Sequence, residues 1–182
     1  MKFVYLWDEE QFLNSALYDY YLGSKKDRRQ LFFLALLAAV FGILAIKWID
    51  EGFQALDLFL IALALVWLGL RKHLLVWMFR RAFRRSGQSG LQLSFDVEED
   101  ALKVQVNSKP PQEYLWSDIQ RVVRTEKGFL IYPGLLWLPN QALQGDVLPS
   151  EAAALFQRRA RHYVDKSQVS LKLPTTVDAN DE

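Results

Sequence analysis

The sequence predicts an α+β membrane protein in which a two-helix transmembrane hairpin is inserted into a small antiparallel sheet domain closed by a C-terminal helix. Three observations lead there. From Leu31 to Ile46 every residue is apolar or glycine, and a second run without charge extends from Leu58 to Leu70. Basic clusters bracket this pair of runs, whereas the segment between them, Asp50 to Asp57, holds three acids and no basic residue. Beyond residue 90, apolar and polar residues alternate with a period of two between turn signals, the pattern of half-buried strands.

The chain opens with Lys2 to Trp7, which reads as a short strand carrying Phe3, Tyr5 and Trp7 on one face. No apolar run precedes a small-residue cleavage site, so a removable signal peptide is not expected. Asp8 followed three residues later by Gln11 marks a helix start. Phe12, Leu13, Ala16, Leu17, Tyr20 and Tyr21 then recur at helical spacing until Gly23. A lone short strand needs a sheet elsewhere, so residues 1–30 are expected to join the domain that follows the hairpin.

The hairpin occupies 31–85. Its first span, 31–49, has 19 positions, close to the ~20 that cross hydrocarbon as a helix. The second, about 53–79, is interrupted by Arg71, Lys72 and His73 before Leu74 to Phe79 resumes the apolar pattern. Lys25, Lys26, Arg28 and Arg29 precede the first span, and Arg71, Lys72, Arg80, Arg81, Arg84 and Arg85 follow the second. Basic flanks stay on the cytoplasmic side, so both chain ends are expected there. The same residues suit helix anchoring at anionic headgroups and are the candidate lipid contacts. A carboxylate inside a span is costly unless paired, and Lys47 is the expected partner of Asp57 near the outer face. Ala35, Ala38, Ala39 and Gly42 put small residues on one face of the first span, which permits close packing on the second helix or on another copy of the chain.

In the 86–166 domain, Ser86 to Gly90 reads as a linker. Leu91 to Val97 and Leu102 to Val106 form a hairpin about the Glu98-Glu99-Asp100 turn. Further strands are expected at Glu113 to Trp116, Ile119 to Thr125, Phe129 to Tyr132 and Leu135 to Leu138, with turns at Glu126-Lys127-Gly128 and Pro133-Gly134. Ser150 is the expected cap of a final helix whose Leu155, Phe156, Ala160, Tyr163 and Val164 face inward. Residues 167–182 read as a polar tail.

This arrangement resembles the YcxB-like family of small bacterial membrane proteins. The resemblance rests on Gly23 to Arg29 ahead of a two-span hairpin, on Trp116-Ser117-Asp118-Ile119, on Gly128 to Tyr132, and on Leu138-Pro139 followed by Ala142-Leu143. It implies a pleckstrin-homology-like sheet domain, a bacterial inner-membrane location, and structural importance for Trp116, Asp118, Ile119 and Pro139. Where the family pattern often has a basic residue and then a phenylalanine after Leu-Pro, this chain has Asn140 and Leu143, so a basic ligand contact at that point is not among what the resemblance implies.

The chemistry-bearing residues are sparse. With no cysteine, disulfides, thiol catalysis and Cys-based zinc sites are excluded. His73 and His162 are too far apart in sequence to suggest a metal site. The Ser86 to Gly90 run lacks the lysine of a phosphate loop. Glu98-Glu99-Asp100 sits in a turn where water keeps carboxylates ordinary, and Asp118 is placed to bond nearby backbone amides at a strand end. No nucleophile, base and orienting group assemble, so the expectation is a protein that is not an enzyme and has no cofactor.

From Ser86 onward ten basic residues face thirteen acidic ones, a net of −3, which points away from nucleic acid and favours a protein partner over broad docking on lipid. The expected function is a membrane-anchored binding or adaptor module in contact with membrane lipid and a protein partner, with homo-oligomerisation left open by the small-residue face. The alternative is a membrane-embedded immunity or inhibitor protein whose hairpin blocks a toxin acting at the membrane.

Overall fold

The computed structural model describes residues 1–23 and 26–171, with the side chains of all of these except positions 26, 27, 29, 30, 50, 51, 55 and 56. It is an α+β chain that divides into two compact units, one of residues 1–23 together with 79 onward, the other of residues 24–78.

The larger unit contains two four-stranded sheets. β1 (Lys2–Trp7), β2 (Leu91–Val97), β3 (Ala101–Val106) and β4 (Gln112–Leu115) form the first in that order, every pair antiparallel. β5 (Arg121–Arg124), β6 (Gly128–Tyr132), β7 (Leu136–Pro139) and β8 (Tyr163–Asp165) form the second in the order β7-β6-β5-β8. Sequence alternation anticipated the β2/β3 hairpin, and Phe95 opposite Val104 is its central pair. The partner of β1 is β2, with Phe3 opposite Phe95, so the amino-terminal strand completes a sheet made far along the chain.

Three expectations are corrected here. The domain is two sheets and not wholly antiparallel, because β8 runs parallel to β5, with Val122 opposite Tyr163. The C-terminal helix packs on the core through Leu155 and Phe156 but is shorter than expected: α4 (Pro149–Arg159) ends before Tyr163 and Val164, which lie in β8. Nor does Ser150 cap it. Leu148 is the cap residue without a side-chain bond, and Pro149 starts the helix, since a fixed φ and a missing N–H suit proline to the first helical position.

Alternation within the second sheet explains how it is buried on both faces. Val122, Phe129, Ile131 and Leu138 point into a core shared with Phe3, Phe95, Leu102 and the α4 residues Ala152, Leu155 and Phe156. Val123, Leu130 and Trp137 point the other way, onto Tyr18 and Leu22 of α1 (Glu9–Leu22). Each fully enclosed Phe contributes roughly 1.5–3 kcal/mol of burial. Asp8 caps α1 as expected, its Oδ1 accepting from Gln11 N at 2.8 Å. The buried face of α1 is turned from the expected one: Leu13, Asn14, Ser15, Leu17, Tyr18 and Leu22 are enclosed, while Phe12, Ala16, Tyr20 and Tyr21 are half-buried. The reason is that Tyr18 stacks on Trp137 at 5.7 Å, while Phe12 packs instead on Phe83 at 5.2 Å.

The smaller unit is a helical hairpin. α2 (Lys26–Glu51) and α3 (Ala55–Ser86) each hold a stretch long and apolar enough to cross a membrane. The 19 residues Leu31–Ile49 measure about 28 Å as helix, against roughly 30 Å of hydrocarbon. Over 18 apolar residues of each stretch only 6% are buried, so neither is an enclosed core helix. The interruption at Arg71, Lys72 and His73 does not break α3, which continues to Ser86.

Candidate functional site

In the helical hairpin, the loop end is tied by a polar knot. Asp57 is wholly enclosed, and Lys47 Nζ lies 2.8 Å from its Oδ1. Trp48 Nε1 and Gln54 backbone N donate to Oδ2 at 3.0 and 2.9 Å. Asp57 sits in the first turn of α3, where a carboxylate reaching back to the residue before the helix satisfies a free N–H and faces the positive end of the helix dipole. Near the other end, Phe33 stacks on Trp67 at 5.8 Å and the Arg71 guanidinium lies 4.3 Å from the Phe33 ring centroid. Ala35, Ala38, Ala39 and Gly42 are all exposed, so the small-residue face of α2 is turned away from α3.

Of the other basic flanking residues, Lys25 lies outside the described residues, as do the side chains of Lys26 and Arg29. Arg28, Lys72, Arg81 and Arg85 are exposed on their helices. Arg80 and Arg84 are brought to Glu9 of α1, with Nε to carboxylate distances of 3.1 and 3.0 Å. Phe79 and Phe83, on the same end of α3, pack on Phe12.

Trp116, Asp118 and Ile119 stand at the corner between the sheets. Asp118 N and Ile119 N donate to Leu115 O and Trp116 O, turning the chain from β4 to β5. Trp116 and Ile119 are buried in the main core, and Trp116 Nε1 donates to Glu98 O at 3.2 Å, securing the β2/β3 turn. Asp118 is exposed, and its partner among the described residues is the Ser117 hydroxyl at 3.2 Å, in place of the expected backbone amides. Glu98 and Glu99 are held at the surface by Lys103 and Arg159, each at 2.8 Å. The hydrogen bond to Glu98 raises the Lys103 ammonium above its ordinary value.

Pro139 is buried at the end of β7 and forms part of a recess of about 230 Å³ on the larger unit. Glu10, Gln11 and Asn14 of α1 form one side; Glu126 and Lys127 of the β5/β6 turn and Asn140 form the other. Gly128 permits this turn to lie against β7, since a Cβ there would meet Leu138 O at 2.3 Å. Trp137 Nε1 donates to Gln11 Oε1 at 2.9 Å, and Lys127 Nζ lies 3.5 Å from Asn14 Oδ1. Asn140 N and Nδ2 donate to Lys127 O and Glu126 O at 2.8 and 3.1 Å, whereas its buried Oδ1 has no partner among the described residues. Tyr18, beneath the stack with Trp137, has its hydroxyl pushed up to about 12 by burial and by the Glu126 carboxylate.

Sequence reasoning used Gln11 only as a cap signal, Lys127 only as a turn residue and Asn140 only as a family departure, and left Glu10 and Asn14 without a role. The available signal was Asn14, a polar residue among the apolar positions of α1. Among the described residues no group of three or more His, Asp or Glu side chains could hold a metal ion, and His73 and His162 are both exposed. No family model, curated protein or solved structure matches this chain.

Proposed function

We propose that this chain is a membrane-anchored, non-enzymatic binding module of the YcxB-like kind, holding a pleckstrin-homology-like domain at the cytoplasmic face of the bacterial inner membrane for a protein partner. One observation carries the reading: two apolar stretches, each only 6% buried over 18 residues, belong to the same chain as a unit that encloses its own core. Apolar surface on that scale requires cover, and lipid supplies it. The acidic connection between the helices and the basic residues outside them support the stated orientation. The net −3 of the chain from Ser86 onward supports a protein partner over lipid or nucleic acid. Confinement at the membrane raises the local concentration of whatever the domain binds.

A chain without cysteine makes the test clean. Phe53→Cys should react with an impermeant maleimide added to intact cells, and Ser89→Cys only after permeabilisation. The reverse pattern would overturn the orientation, and release of the protein into an alkaline carbonate wash would overturn the anchor.

A further inference from the structure

We propose that the recess between α1 and the β5/β6 turn receives a cationic side chain, arginine or lysine, presented by a peptide segment of a protein partner. This rests on the binding-module reading and adds the chemistry of what is bound. At about 230 Å³ the recess falls below the roughly 300–1,000 Å³ of sites for drug-sized ligands and suits one long side chain. Its walls are fixed: Trp137, Pro139 and Asn14 are buried, and Trp137 is bonded to Gln11.

What the recess leaves to offer is mostly acceptor. Glu10 and Glu126 are exposed carboxylates at its rim. These carboxylates accept hydrogen bonds and cannot donate them, and at the rim they stay open to a ligand. Guanidinium and ammonium groups carry donors and no acceptor, so they match this set. Lys127 is the one opposing charge among the described residues that line the recess, lying 3.5 Å from Asn14 Oδ1. Its presence gives the proposal a sign that can be read.

The test uses the full chain in nanodiscs of phosphatidylcholine, whose neutral headgroups leave a cationic probe free. The acetylated pentapeptide Ala-Ala-Arg-Ala-Ala-amide is titrated while the Trp137 indole N–H resonance is followed, beside its citrulline counterpart and free argininamide. The arginine peptide should bind about tenfold tighter than the citrulline peptide. E126Q should weaken it about threefold and K127Q strengthen it by a similar factor. Equal binding of the citrulline peptide would overturn the proposal, as would reversed signs for the two variants, which would mark an anion site. Argininamide binding as tightly as the pentapeptide would overturn the peptide source. Loss of peptide binding with cysteine labelling as expected removes only the recess assignment, whereas retained binding in a chain that labels from the wrong side removes only the membrane reading.

Discussion

Lys47 Nζ stands 2.8 Å from Oδ1 of Asp57, a carboxylate with no exposure to solvent, while Lys47 keeps about a quarter of its side chain exposed. That asymmetry decides which partner matters more. Removing Asp57 leaves a lysine that can reach water; removing Lys47 leaves a covered carboxylate with two N–H donors among the described residues, Trp48 Nε1 and Gln54 N. Lys47→Met should destabilise the hairpin. Adding Asp57→Asn should recover part of that loss, because the neutral amide still accepts from Trp48 and Gln54. Sodium dodecyl sulfate titration of the detergent-solubilised protein measures both, and a double variant less stable than Lys47→Met sinks the account.

The end of α3 is held on α1 by two kinds of contact of unequal weight. Arg84 is 71% exposed, so its ion pair with Glu9 is screened, and Glu9→Gln should cost under about 1 kcal/mol. Phe83 is buried against Phe12, and Phe83→Ala should cost about 3–4 kcal/mol. Denaturant midpoints followed by near-ultraviolet circular dichroism give the ranking. If Glu9→Gln is the more damaging, ion pairing and not ring packing secures this contact.

At Gly128 an added methyl would meet Leu138 O at 2.3 Å and Pro139 Cα at 2.8 Å, both backbone atoms that cannot swing aside. Gly128→Ala should therefore separate β6 from β7 locally and cost about 2–3 kcal/mol. Amide exchange in β7 should accelerate with it. Unchanged protection at Leu138 would show that the strands tolerate the methyl.

Burial, then Asp8, raises the Tyr5 hydroxyl; burial, then Glu126, pushes Tyr18 up to about 12. Both groups are held neutral in the folded state above the ordinary phenol value of about 10. Their contribution to stability is complete below that value and is lost as pH rises through it toward the folded values. Thermal stability should therefore fall from about pH 10 upward, and Tyr18→Phe should lessen the fall. Phenolate absorbance should appear for Tyr5 only with unfolding and for Tyr18 only near pH 12; ionisation of both at pH 10 in the folded protein would refute their enclosure.

On the acid side, burial alone would raise the Asp165 carboxyl, but the Ser167 amide and hydroxyl together with Arg124 outweigh it and hold it below the usual carboxylate range. Its contribution is present above the ordinary carboxylate value and disappears as pH falls through the lowered folded value. Ser167→Ala should raise the Asp165 titration midpoint, read by carbon-13 resonance of the carboxyl, and no movement would exclude the Ser167 bonds as the cause.

The linear pattern alone determined the two apolar helices, the Asp8 cap, the β2/β3 hairpin and the Lys47–Asp57 partnership. Each depends on neighbours in sequence: run length, a side chain three residues from its amide, an alternation of two, or two charges brought level by a short loop. Tertiary structure decided the rest. Whether β8 extends a helix or joins β5, which way α1 rotates, and which face of α2 meets α3 are choices between local conformations of similar cost. They are settled by partners distant in sequence, such as Trp137 for Tyr18 and Val122 for Tyr163. The recess arises the same way, because Asn14, Lys127 and Asn140 share no local pattern and meet only when the second sheet buries both of its faces.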